Sequence, residues 1–383
     1  MTVPLSPRTP LAVLAGVGAL VALSACDSTD SASSGSGAAG PIKVEASDST
    51  CAVAVNTANA GNVTFEITNK GTKVTEFYLY AEGDRIMGEV ENIAPGLNRR
   101  LIVEVPEAGK YQTACKPGMV GNGIRGDFTV TGGAQKQTDT DAQKAEATKS
   151  YATYVANNTA ALETETQKFV DLVKAGKVDE AKSEYATTRV YYERIEPVAE
   201  KFGDLDPLID VREADLESGQ QFTGFHRLEK DLWVTGLQPD SSQVADKLLT
   251  DVKDLVTKTK TLQLSALDLA NGAKGLLDEV ATGKITGEEE TFSHTDLWDF
   301  QANVDGSKGA IASLRPILQE RDPALVSTLD KQFANVQSLL DKTRVGDGFK
   351  YYNQLSQDEI KAFASAVDAL SEPLSKVAEV VSK

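Results

Sequence analysis

The sequence predicts a multidomain protein in which an all-β sandwich precedes an all-α helical bundle. Two periodicities and one change of composition predict it. Across residues 42–132 apolar side chains alternate, as in Val63, Phe65 and Ile67 or Leu101, Val103 and Val105, the pattern of strands with one buried face. Across residues 144–383 good helix formers recur with the helical period of about 3.6. Between these regions, residues 133–143 are dominated by Gln, Thr, Asp and Ala and form a linker.

Residues 1–26 carry a single charge, Arg8, and run apolar from Leu11 to Val21. That run is too short to span a bilayer and has the form of an export signal. It ends in Leu23-Ser24-Ala25-Cys26, which resembles the lipobox of bacterial lipoproteins and implies cleavage before Cys26 with lipid on its thiol. The alternative is ordinary secretory cleavage near Ala25. Residues 27–41, mostly Ser, Gly, Ala and Thr, have too little apolar surface to fold and form a flexible tether.

In the sandwich, Val53 and Val55, then Phe77 and Leu79, continue the alternation. Turn formers interrupt it at 59–62, Asn69-Lys70-Gly71, Pro95-Gly96 and Glu107-Ala108-Gly109. This spacing predicts about seven or eight short strands. In the bundle, breaks near Gly176, 203–207, 236–240, Gly283, Asp322-Pro323 and 346–348 separate about six to eight helices.

Net charge is −17, of which residues 141–383 carry −14. An acidic bundle repels nucleic acid, whose binding needs clustered Lys and Arg, and suits the recruitment of cations. Of three cysteines, Cys51 and Cys115 both fall in the sandwich. Outside the cytoplasm such a pair forms a disulfide or contributes two thiolates to a metal site. In the second case Glu76 and Met119, the latter within Cys115-Lys116-Pro117-Gly118-Met119, complete a ligand set. No histidine precedes residue 226, so a two-His-one-Cys copper centre is excluded from the sandwich.

The chain has two histidines. His226 lies in Gly224-Phe225-His226-Arg227-Leu228-Glu229-Lys230-Asp231-Leu232-Trp233, read as one helix. On it Phe222, His226, Glu229 and Trp233 share an inward stripe, while Arg227, Lys230 and Asp231 face outward. A preceding helical stretch, 184–197, places Tyr185, Arg189, Tyr192, Glu193 and Glu196 on one face, unlike the apolar core of a plain bundle. If the two faces meet, one imidazole and several carboxylates converge, a set suited to iron, manganese or zinc rather than Cu(I). The acidic loop Gly203-Asp204-Leu205-Asp206-Pro207-Leu208-Ile209-Asp210 between them offers a further oxygen. Such a site loses its ion as the imidazole is protonated, expected here below about pH 6. His294, in Phe292-Ser293-His294-Thr295-Asp296-Leu297-Trp298, has no Glu three positions on and ranks below His226.

On these residues the helical region resembles the imelysin-like family, whose hallmark Gly-x-His-x-x-Glu is here Gly224 to Glu229. Segments 192–197, 204–206 and 293–297 look similar to that family as well. The sandwich, with Cys51, Glu76-Phe77 and Cys115 to Met119, resembles the cupredoxin-like domain that precedes an imelysin-like bundle in EfeO-type iron-uptake proteins. The resemblance implies a cupredoxin-like Greek-key sandwich joined to an imelysin-like bundle. It further implies an extracytoplasmic metal-binding component of bacterial iron uptake, at the outer face of the cell membrane or in the periplasm, that captures Fe2+ or Fe3+ and passes it to a membrane permease. A haem peroxidase-like partner, and copper or zinc as other metals, come with that implication. It makes His226 and Glu229 ligands, with Glu193 and Glu196 in company. Cys51, Glu76, Cys115 and Met119 become a second site that handles or oxidises Fe(II) in what is otherwise a binding protein. Two other classes stay open: an imelysin-like metallopeptidase and a metal-dependent binder of anionic polysaccharide. The peptidase reading lacks a second nearby histidine and the base of the HExxH arrangement.

Overall fold

A computed structural model of the protein describes residues 40–132, 142–216, 219–282 and 284–383. The leader, Cys26, the tether up to residue 39 and residues 133–141 of the linker lie outside the described residues.

The N-terminal body is a sandwich of two sheets. Its strands are β1 (Ile42–Ala46), β2 (Cys51–Val53), β3 (Thr57–Asn59), β4 (Gly61–Asn69), β5 (Thr75–Tyr80), β6 (Ile86–Ile93), β7 (Asn98–Val105), β8 (Gly109–Cys115) and β9 (Ile124–Thr131). They pair in the orders β2-β1-β4-β7 and β3-β9-β8-β5-β6. β1 runs parallel to β4 and β3 parallel to β9; the other neighbours are antiparallel. Inward residues of both sheets meet around Phe65, whose ring lies 5.0 Å from Phe77 and 5.4 Å from Phe128. β5 is buried on both faces, with Phe77 and Leu79 inward and Tyr78 stacked on Tyr80 on the other side.

Cys51 on β2 and Cys115 on β8 form a disulfide across the two sheets, with Cα atoms 5.5 Å apart. This corrects the thiolate alternative. Sulfurs bonded to one another cannot also be thiolate ligands, so the set of Cys51, Glu76, Cys115 and Met119 does not form a metal site in this structure. Glu76 instead accepts a hydrogen bond of 2.9 Å from the Tyr78 hydroxyl.

The helices are α1 (Ala142–Lys174), α2 (Val178–Glu193), α3 (Leu205–Asp210), α4 (Gly224–Lys230), α5 (Ser241–Thr259), α6 (Ala266–Thr282), α7 (Asp296–Arg321), α8 (Pro323–Lys342), α9 (Gln357–Leu374) and α10 (Val377–Ser382). Local signals set their ends. Asp322 caps α8 by accepting from the Leu325 amide at 2.9 Å, with Pro323 at the first helical position. Ser356 and Glu359 form a capping box on α9. The long α1 packs against α2, α5 and α7, and one apolar core runs through the bundle.

Two predicted helices are shorter than their patterns suggested. The stretch 184–197 leaves the α-helix at Glu193, and a tighter helical segment, Glu196–Phe202, follows with Pro197 near its start. Gly306 of α7 and Gly272 of α6 let this segment in, because a Cβ at either would strike the carbonyl of Arg194 or Pro197. The stretch around His226 is α4 followed by one π-helical turn, Asp231–Thr235. That widened turn explains Asp231, expected outward but 1% exposed: its carboxylate accepts from Ser241 Oγ at 2.7 Å and anchors the start of α5. Phe222 falls outside the helix, and Trp233 is half-buried.

The sandwich rests on the bundle through direct contacts. Asn271 of α6 donates to the Ile102 carbonyl at 2.8 Å, and Arg100 of β7 pairs with Glu379 of α10 at 3.1 Å. A cleft of about 680 Å³ lies between the two bodies, lined by Glu89 and Glu91 of β6 and by Glu196, Glu200 and Glu279.

Candidate metal centre

The buried face of α2 is the foundation of the site. Tyr185, Arg189, Tyr192 and Glu193 on it are each 0% exposed. A guanidinium removed from water needs carboxylates around it, and Arg189 has five. It is bonded to Asp210 and to Glu193, its Nη2 lies 3.3 Å from Glu289, and its Nε lies 2.6 Å from Glu290 and 3.7 Å from Asp299. Lys284, between α6 and α7, is a second buried cation. Its Nζ lies 2.8 Å from Glu193 and from Glu196, and 3.7 Å from Glu289.

His226 stands beside this network, 1% exposed. Its Nδ1 is 3.3 Å from Glu229 Oε2. The other oxygen of Glu229 accepts the backbone N–H groups of Phe292 at 2.9 Å and Ser293 at 2.6 Å. The i, i+3 spacing therefore makes Glu229 a clamp that fixes the ring, donating Nδ1–H to Glu229 and presenting Nε2 on the far side. Nε2 has no hydrogen-bond partner among the described residues. It faces Asp210 Oδ1 and Glu289 Oε1, each 3.6 Å away.

Gly224 makes this meeting geometrically feasible. It has φ = +79°, and a Cβ there would run into the Ile209 carbonyl. The start of α4 thus lies directly on the end of α3, which carries Asp210 to the imidazole.

Two triads arise, each with ligand-type atoms within 4.8 Å of one another: Asp210, His226 and Glu289, and His226, Glu229 and Glu290. The first fits an ion better. Ligands about 2.0–2.2 Å from a common ion in open tetrahedral to trigonal geometry are roughly 3.3–3.8 Å apart, and its imidazole nitrogen is otherwise unbonded. In the second triad Glu229 is already held by two amides and the ring.

Of the residues singled out from sequence, His226 and Glu229 lie together at this centre. Glu193 and Glu196 do not face the imidazole, a correction. The chain turns after Glu193 and directs both onto Lys284 and Asn303, whose Nδ2 donates to Glu193 at 2.9 Å and Glu196 at 2.6 Å. From the acidic loop, Asp210 reaches the ring, whereas Asp206 binds the Tyr192 hydroxyl. Among the described residues no such triad includes His294. Sequence reasoning missed Glu289, Glu290, Lys284 and Asp299. The run Glu288-Glu289-Glu290 just ahead of Phe292 was the available signal.

Charge in the cluster is arranged around a demand for cations. Burial and Arg189 oppose protonation of His226, but Glu229 and Glu289 at its nitrogens and Asp210 beyond outweigh them and raise its pKa to about 9. Burial favours a protonated Glu289, yet Lys284, His226 and Arg189 hold its carboxyl well below the usual range. Glu290 and Asp299 go the other way. Burial raises both, with Glu229 and Glu193 respectively the leading like charges.

Comparison with known proteins identifies both bodies. The family model for imelysin matches residues 147–377, and that for the cupredoxin-like domain matches residues 15–130. Proteins described as iron uptake system component EfeO from Escherichia coli O157:H7, Escherichia coli strain K12 and Shigella flexneri are each 40% identical to this chain over 346 residues. These alignments span 89% of this chain and 91% of each relative.

Proposed function

Because the chain belongs to the imelysin family, in its EfeO-type form with a cupredoxin-like domain, we propose that it is an iron-uptake component whose bundle binds the metal. The ligands are His226 Nε2, Asp210 and Glu289, with Glu229 orienting the ring. The observation that carries this reading is the buried Nε2, unbonded and facing two carboxylate oxygens at 3.6 Å. A nitrogen-and-oxygen set of this kind suits iron in either oxidation state and also takes zinc. Iron is cargo here, so the site has to bind and release it.

In this reading the protein works outside the cytoplasm, held at the membrane by lipid on Cys26, and passes iron to a membrane permease. No helix among the described residues is long and apolar enough to cross a membrane. Calorimetry with Zn(II), Fe(II) and Fe(III) on the full mature chain tests the site. His226→Ala should abolish binding to the bundle while leaving helix content unchanged. A variant that binds all three ions like wild type would overturn the proposal.

A further inference from the structure

The oxygens that face His226 Nε2 are also the ones Arg189 holds. Asp210 Oδ1 is bonded to Arg189 Nη1 and lies 3.6 Å from Nε2; Glu289 Oε1 is 3.3 Å from Arg189 Nη2 and 3.6 Å from Nε2. A metal ion at Nε2 would draw on these same oxygens beside a guanidinium with no access to water. A divalent ion there brings more charge than the imidazole proton it replaces and competes with Arg189 for both oxygens, which favours a shift of the guanidinium toward another carboxylate. Asp299 of α7 shows where it can go. Asp299 is 1% exposed, and neither of its oxygens has a hydrogen-bond partner among the described residues. Such a group is costly to bury without one. Its Oδ1 lies 3.7 Å from Arg189 Nε, so a shift of roughly 1 Å makes a full hydrogen bond.

We propose that Arg189 is an exchangeable counter-cation of the metal site and that Asp299 is its receiver. The inference rests on the metal-binding reading above. When a cation takes Nε2, Asp210 and Glu289, the guanidinium tilts from Asp210 onto Asp299, its single Nε–H turning from Glu290 to Asp299 while Nη2 keeps Glu193. Asp299 then tunes affinity without touching the ion. When the cation leaves, Arg189 returns to Asp210, so the cluster never faces its own repulsion. A site that must both take and give up cargo gains from that exchange.

Zinc is the probe, since it has no redox chemistry. In the full mature chain, Asp299→Asn should weaken Zn(II) binding about tenfold, because an amide receives a guanidinium poorly. In an Arg189→Gln background the same change should alter affinity less than twofold, there being nothing left to receive. An Asp299→Asn protein that binds like wild type, or an equal loss in both backgrounds, would overturn the proposal. A merely structural aspartate would show no such coupling. If Arg189→Gln does not fold, a crystal structure of zinc-loaded wild type decides the matter. Arg189 within hydrogen-bond distance of Asp299 and off Asp210 supports the exchange; Arg189 still on Asp210 with zinc on His226 refutes it. Wild type that binds no zinc, Fe(II) or Fe(III) would instead refute the metal site itself.

Discussion

At the scale of single residues, the site depends on which nitrogen of His226 faces what. Glu229 holds Nδ1 and is itself pinned by the amides of Phe292 and Ser293. Glu229→Gln preserves the shape but loses the charge that favours the metal-bearing tautomer. By the usual cost of losing such a support, zinc affinity should drop about 10- to 100-fold rather than vanish, measured by competition with a chelating dye. Binding equal to wild type would deny Glu229 the clamp role. The same geometry moves the pH response. A free imidazole would lose metal to protons below about pH 6, but this ring is held up to about 9. Because its folded pKa is raised, its contribution to stability is full below the unfolded value near 6.5 and is lost as pH rises through about 9. Metal must displace that proton, so zinc affinity should climb steadily from pH 6 to 9. A titration flat over that range would contradict the assignment.

At the scale of elements, much of the fold was legible because it is periodic. Alternation in Val63, Phe65 and Ile67 marked β4, and the turn formers marked the strand ends. The face of Tyr185, Arg189, Tyr192 and Glu193 was legible as one side of α2. What could not be read was where the helices stop being regular. The tight segment after Ile195 is set by packing against distant elements, through Gly272 and Gly306, and the π-helical turn after Lys230 turns Asp231 inward onto Ser241. The ligand set was misread for the same reason: Glu193 and Glu196 have the right chemistry, but tertiary turns send them to Lys284. Gly224 combines both lessons. Gly224→Ala imposes strain at φ = +79° and a clash with Ile209. It should cost about 1–3 kcal/mol by urea unfolding, and by pushing α3 away it should also weaken zinc binding. An alanine variant as stable as wild type would refute the close approach. In the sandwich, the Cys51–Cys115 bond closes a loop with a sequence separation of 64. Loop-closure entropy puts its value at up to about 4 kcal/mol. Reduction should lower the stability of the sandwich and leave zinc binding by the bundle intact, two signals that calorimetry separates.

At the scale of the whole molecule, acidity is concentrated where the two bodies meet. Glu89 of β6 pairs with Glu200 of the bundle; burial pushes both up, Glu89 well above the usual carboxylate range. Glu91, two residues on, is raised to about 8 by burial and by the neighbouring charge of Glu76, and its carboxyl lies 3.2 Å from the Tyr78 hydroxyl oxygen. A carboxyl whose folded pKa lies above its unfolded value near 4.3 binds its proton more tightly when folded. Folding is therefore favoured at low pH, and that advantage is lost as pH rises from about 4.3 through about 8. Ionisation also places like charges on opposite walls of the cleft, which loosens the seating of the sandwich on the bundle. The melting temperature should accordingly fall between pH 5 and pH 8, by scanning calorimetry in low salt. Glu91→Gln cannot ionise and should flatten part of that slope while leaving the value at pH 5 nearly unchanged. Added salt, which screens the repulsion, should do the same for wild type. If the melting temperature rises over this range, or if Glu91→Gln follows wild type at every pH, the cleft does not hold its carboxyls protonated.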